Sequence, residues 1–204
     1  MKVLHLDSSI LGDASASRQL GNEVVAALRS RHSGIELNYR DLAADSISHL
    51  AGSTLAANGT PAELRTIAQQ HEAALSEQVL NEFLQADVLV IGAPMYNFAI
   101  PSQLRAWIDR IVVAGKTFKY GANGPEGLVA DKQVFIVSTA GGKHAGSPSA
   151  AAHEDYLKAV LNFVGIRSIT VIHAQGLAMG AETRDAAFAA ARVQIAALTA
   201  AQAA

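Results

Sequence analysis

The sequence contains no cysteine among its 204 residues. That excludes disulfides, thiolate metal sites, iron–sulfur clusters, CxxC redox chemistry and cysteine-based phosphatases. Electron transfer by this chain would need a bound organic cofactor, or a metal held by nitrogen and oxygen ligands. Excess charge is also lacking. The formal net charge is −2, so nothing points to nucleic acid or to an anionic membrane surface. No apolar run approaches the ~20 residues of a membrane span. The opening Met1-Lys2-Val3-Leu4-His5-Leu6-Asp7 is too short and too soon polar for a secretory signal. A cytoplasmic protein without membrane partners is expected.

Several catalytic signatures are missing too. The first turn lacks the GxGxxG of a dinucleotide-binding fold. Gly115-Lys116-Thr117 is no P-loop, because Arg110 stands where the leading glycine is needed. His153-Glu154 has no second histidine to complete a zinc helix, and no GxSxG elbow occurs. The 7 histidines are scattered and read as surface or locally satisfied residues, so no metal site is expected. A phospho-receiver domain would end its central strand on aspartate; here Gly92-Ala93-Pro94 follows the apolar run.

What is present is an alternation of strands and helices. Half of the residues are hydrophobic, and a chain of this size buries roughly 70% of its unfolded surface, enough for a single domain over residues 1–204. The central element is Val88-Leu89-Val90-Ile91, a branched apolar run suited to a strand buried on both faces of a parallel sheet. Further strands are predicted over 2–6, 35–39, 134–137 and 168–173. Helices are predicted from Ser17, from Pro61 (capped by Thr60) to about Gln85, from Pro101, over 150–164 and from Thr183. In the second of these, Leu64, Ile67, Leu75, Val79 and Phe83 are expected to be buried. Residues 41–59 have no sustained period and read as an irregular connection. Residues 116–132, rich in Gly, Asn and Pro, read as an excursion or hairpin above the sheet. Five strands alternating with helices imply a right-handed, doubly wound parallel α/β sheet with helices on both faces.

Ligands of such sheets bind at the carboxyl ends of the strands, and three turns there carry unusual residues. After the first strand, Ser8, Ser9, Ser15 and Ser17 lead into a helix start, where hydroxyls and free N–H groups can hold a terminal phosphate. An ordinary serine cap is the plainer reading. After the central strand, Pro94, Met95, Tyr96, Asn97 and Phe98 offer aromatics and an amide suited to a planar, hydrogen-bonding ligand; capping of the core is the alternative. After the 134–137 strand, Thr139-Ala140-Gly141-Gly142 permits close backbone approach to a ring edge, or simply makes a tight turn.

With these turns together, the sequence resembles the FMN-dependent NADH-azoreductases, flavodoxin-like proteins that are also quinone reductases. The resemblance runs over nearly the whole chain. It is carried best by Ser8-Ser9-Ile10-Leu11, Ser15-Ala16-Ser17, Ala93 to Phe98, Thr117-Phe118-Lys119-Tyr120, Gly124 to Leu128 and Gly141-Gly142. It implies strand order 2-1-3-4-5 and a homodimer with its sites at the subunit interface. Ser9, Ser15, Ala16 and Ser17 would surround the FMN phosphate. Pro94, Met95, Tyr96, Asn97 and Phe98 would line the ribityl chain and ring, and Thr139, Ala140, Gly141 and Gly142 would meet its pyrimidine side. Phe118, Tyr120 and Phe163 would border the substrate pocket. No acid–base residue is implied as catalytic, since hydride passes by a ping-pong route from NADH or NADPH through flavin N5 to a quinone, azo or nitroaromatic acceptor. Ala16 and Ala140 depart from the larger residues common in that family, and His173 from an apolar or aromatic one. A flavodoxin-type carrier serving a protein partner, or a scaffold without activity, are the other classes that fit the fold.

Overall fold

Alternation along the strands divides the apolar side chains between two layers. In β1 (Lys2–Asp7) Val3 faces one layer, and Leu4 and Leu6 the other. In β3 (Val88–Pro94) Val88 and Val90 join Val3, while Leu89 and Ile91 join Leu4. β6 (Gln133–Ala140) repeats the division with Phe135 and Val137 against Val134 and Ile136. Every residue of β3 is buried, as an apolar strand covered on both faces must be. The computed structural model describes residues 1–144, 146–148 and 151–200.

The sheet is parallel throughout, in the order β2-β1-β3-β6-β7, with β2 (Glu36–Asp41) and β7 (Ile169–Gln175) at its edges. Counted without the excursion, this is the expected 2-1-3-4-5 order. The excursion is a separate antiparallel hairpin of β4 (Phe118–Gly121) and β5 (Gly124–Gly127). α1 (Ala16–Arg31) and α6 (Ala181–Ala200) cover the Val3 layer with Leu20, Val24, Phe188 and Ile195. α3 (Ile67–Gln85), α4 (Ser102–Ile111) and α5 (Tyr156–Val164) cover the other layer with Val79, Phe83, Leu104, Trp107, Leu157 and Leu161. The hairpin seats against the end of α5: a Cβ on Gly127 would lie 2.3 Å from the Gly165 nitrogen, so only glycine fits there.

Several expectations are corrected. Residues 41–59 are not wholly irregular but contain α2 (Gly52–Gly59), which buries only Thr54 and Ala57 and so leaves no apolar stripe to read. The helix expected from Pro61 begins at Ile67, after a 3-10 turn at Ala62–Leu64. Its cap is Thr66, whose hydroxyl accepts from the Gln69 N–H at 3.3 Å while the Gln69 side chain accepts from the Thr66 N–H at 3.0 Å. That reciprocal box satisfies two end groups and outcompetes the Thr60-Pro61 start. Leu64 and Ile67 are consequently 70% and 73% exposed instead of buried. Ahead of α5 the chain forms a π turn over Ala151–Asp155, and the expected helix start at Ala150 lies outside the described residues. Trp107 packs edge-on against Phe83 in the core, with centroids 5.8 Å apart.

The π turn is tied to the sheet by Glu154. It accepts from Ser138 at 2.6 Å and pairs with His173 Nε2 at 3.0 Å. Burial works against its charge, but the bonds from His173 and Ser138 prevail and hold its carboxyl down to about 2. The same bond raises His173 above its ordinary value. A raised histidine stabilises the fold fully below its unfolded pKa, about 6.5, and that contribution is lost as pH rises through the folded value. We therefore expect the stability difference between the wild type and His173→Gln, measured by urea unfolding from pH 5 to pH 9, to be largest at pH 5 and to vanish at the alkaline end. Its size should stay below about 1 kcal/mol, since His173 is nearly half exposed. A pH-independent difference would contradict the charged pair.

Candidate functional site

The first turn is built from hydroxyls. Ser8 donates to the Gly92 carbonyl at 2.6 Å, fixing the turn to β3. The Ser9 hydroxyl accepts from the Leu11 N–H at 3.2 Å and meets the Tyr96 hydroxyl at 2.9 Å, joining the first turn to the second. Ser15 is the N-cap of α1: its hydroxyl accepts from the Arg18 N–H at 3.3 Å and lies 3.0 Å from the Ser17 hydroxyl. The first intrahelical bond runs from the Gln19 N–H to the Ser15 carbonyl. The N–H groups of Ala16 and Ser17 therefore have no helical acceptor. Ser17 stands at the helix start as expected, the second residue of α1, and is wholly buried there.

Beneath this turn lies a buried ionic cluster. Asp7, at the end of β1, is fully buried. Arg18 Nε approaches it at 3.1 Å, and the Tyr39 hydroxyl donates to it at 2.7 Å. Arg18 also pairs with Asp41 and, at 3.5 Å, with Asp13. Burial, then the bond to Asp7, pushes the Tyr39 hydroxyl above its ordinary range. His5 lies 3.6 Å from Asp7, yet burial outweighs that carboxylate and lowers the imidazole's pKa. Gly92 closes the cluster from β3, where an added Cβ would meet Asp7 at 3.1 Å and the Leu6 carbonyl at 3.3 Å.

The second turn continues the ladder, Met95 N–H donating to the Thr139 carbonyl at 2.7 Å. It then closes tightly between Tyr96 and Ala99. Asn97 and Phe98 carry φ of +50° and +68°, the only positive values at non-glycine positions among the described residues. Such a conformation is costly for an aromatic and is typical of a functional edge. The third turn is clamped by the chain leaving β7. Leu177 N–H donates to the Ala140 carbonyl at 3.1 Å, and Ala178 N–H to Gly141 at 3.0 Å.

These turns enclose a cleft of about 380 Å³, within the size range of small-molecule sites. Of the residues expected at the site, the cleft is lined by Ser9, Ser15, Ala16, Pro94, Met95, Tyr96, Thr139, Ala140 and Gly141. Ser17 lies beneath it, and Asn97, Phe98 and Gly142 are not part of its lining. Phe98 is 62% exposed, its ring edge-on to His144 at 6.0 Å. Phe118, Tyr120 and Phe163 form a separate cluster on the hairpin and α5, with centroids 5.6 Å and 4.7 Å from Phe118. Sequence reasoning missed Leu11, Ala14, Leu177, Ala178 and Arg184 as lining residues. Gly176, at φ +78° after the last strand, is the one local signal that a fourth turn reaches the same edge.

The chain is 65% identical over 196 residues to FMN-dependent NADH:quinone oxidoreductase 2 of Pseudomonas aeruginosa, covering 96% of this chain and 97% of the relative. It is 58% identical over 196 residues to FMN-dependent NADH:quinone oxidoreductase 1 of Pseudomonas putida, with the same coverage. Among solved structures, an FMN-dependent NADH-azoreductase of Bacillus anthracis in complex with FMN superposes with a TM-score of 0.84 at 25% identity, over 98% of this chain and 100% of the other. A family model described as flavodoxin-like fold matches residues 1–198. Sheet order and a match along almost the entire sequence agree, and the chain belongs to the flavodoxin-like-fold family.

Proposed function

We propose that this chain is an FMN-dependent NAD(P)H oxidoreductase that reduces quinones and azo compounds, with nitroaromatics as further acceptors, and works as a cytoplasmic homodimer. The observation that carries the reading is the cleft where the three turns meet. Its residues fit FMN. The Ser15 cap and the N–H groups of Ala16 and Ser17 suit a terminal phosphate. Among the described residues no carboxylate lines the cleft to repel a dianion. Met95, Tyr96, Ala140 and Gly141 offer flat apolar surface and backbone to a planar ring. When bound, the flavin supplies the hydride chemistry. The chain's own work is to bind and orient it: the Ser9–Tyr96 contact and the bond from Met95 to Thr139 hold the walls at fixed spacing. A carrier serving a protein partner is not favoured, because the relatives are named for turnover of NADH and quinone.

Leu50, Leu55, Leu64 and Ile67 are all exposed around α2 and the start of α3, and this surface supports a dimer. Trp107, buried within the protomer, does not contribute to it. The test is to purify the full chain, read its flavin absorbance, measure its mass by light scattering at micromolar concentration, and assay NADH- and NADPH-driven reduction of quinones and azo dyes. A yellow dimer with turnover is expected. A colourless protein that takes up no added FMN and turns over no acceptor would overturn the reading, and a monomer would overturn its assembly.

Tyr120 is 76% exposed at the tip of the aromatic cluster and outside the cleft lining. We assign it, with Phe118 and Phe163, to acceptor shaping. Tyr120→Ala should change kcat/KM for quinones and azo dyes by about 2- to 10-fold, the worth of one aromatic contact, with FMN affinity unchanged. Loss of flavin from this variant would contradict that placement.

A further inference from the structure

We propose that Arg184 is the cation that grips the terminal phosphate in this cleft, and that it lets the chain distinguish FMN from riboflavin; the inference rests on the functional reading above. Among the described residues Arg184 is the one charged residue lining the cleft. The first turn carries no lysine. The nearest alternative cation, Arg18, is engaged by Asp7, Asp41 and Asp13 and does not line the cleft. Arg184 is differently placed. Among the described residues it forms no ion pair and no side-chain hydrogen bond.

Its position is nonetheless fixed. The guanidinium lies over the Phe188 ring, 5.0 Å from the centroid. Arg192 lies over the same ring at 5.5 Å and is held there by Glu23 at 2.9–3.1 Å. A guanidinium resting on an aromatic face keeps its N–H edge available for an anion, and that edge matches phosphate geometry. α1 and α6 each follow a strand of one parallel sheet, so both begin at the same sheet edge, and they pack on each other. Arg184, in the first turn of α6, thus shares the cleft with Ala14, Ser15 and Ala16. The two alanines bring only methyl groups to that wall. Neutral hydroxyl and N–H donors leave a phosphate dianion uncompensated, and a charge-assisted bond from Arg184 supplies what they lack. The extra phosphate of NADPH offers the same chemistry. Because Arg184 and the Ser15 cap line one cleft, on helices that begin at the same sheet edge, the FMN phosphate is the ligand group this reading assigns to it.

The test loads full-length wild type, Arg184→Met and Arg184→Lys with FMN or riboflavin and follows free-flavin fluorescence on dilution, with circular dichroism to check folding. Arg184→Met keeps an apolar stem on Phe188 and removes the charge. It should raise the FMN dissociation constant about 10- to 100-fold and leave riboflavin within about threefold, and Arg184→Lys, which keeps the charge but not the planar fork, should recover only part of the FMN affinity. Unchanged FMN affinity in a folded Arg184→Met protein would overturn the assignment. So would equal losses for both flavins, or a wild type that binds them equally. A raised KM for NADPH but not NADH, with flavin affinity intact, would also overturn it and move the cation to the nicotinamide. A wild-type chain that binds neither flavin contradicts the functional reading itself, which separates the two failures.

Discussion

The open edge of the sheet depends on one buried carboxylate. Asp7 ends β1 with no exposure to solvent, and an isolated charge there would cost several kcal/mol. Arg18 from α1 and Tyr39 from β2 compensate it, and Gly92 of β3 leaves the space it occupies. One side chain thereby ties together three neighbouring strands and the first helix. Removing either partner would leave a buried charge unsatisfied, so the first turn has little freedom to move. This cluster fixes the Ser15 cap beside β3 and directs the N–H groups of the first turn of α1 to the sheet edge.

The same cluster shapes the electrostatics of the cleft. Three carboxylates, Asp7, Asp41 and Asp13, surround Arg18 and leave it no charge to spare for a ligand. The hydroxyls of the first turn bring no charge of their own to the cleft, and among the described residues its lining carries a single positive charge, from the opposite end of the chain. Backbone strain falls at this edge as well, at Asn97 and Phe98. The surrounding turns hold it in place, because Tyr96 is bonded to Ser9 and paired with Ala99.

Much of this was legible in the sequence, for physical reasons. Val88 to Ile91 announced itself because a strand covered on both faces must be apolar at every position. The hairpin showed in the glycines that bound its short strands, and the three turns in their hydroxyls, aromatics and paired glycines. Other features were hidden. Thr66 and Gln69 form a cap signature, but Thr60-Pro61 offered a competing start six residues earlier, and the reciprocal box that decides for Thr66 is evident only in the structure. α2 buries too little to show a period. Ser15 and Ser17 are equivalent as letters; their roles separate only once Ser17 is turned beneath the turn. Arg184 could not be read at all, because its place in the cleft comes from the packing of α6 on α1 and has no local signature.

The central claim is that the three turns and Arg184 hold one flavin at the carboxyl edge of the sheet. A crystal structure of the flavin-loaded protein tests it most directly. The account predicts a planar ring between Met95–Tyr96 and Ala140–Gly141, with its phosphate at the first turn of α1 and within hydrogen-bond reach of Arg184. A flavin bound away from the first turn, or with its phosphate in solvent, would contradict it.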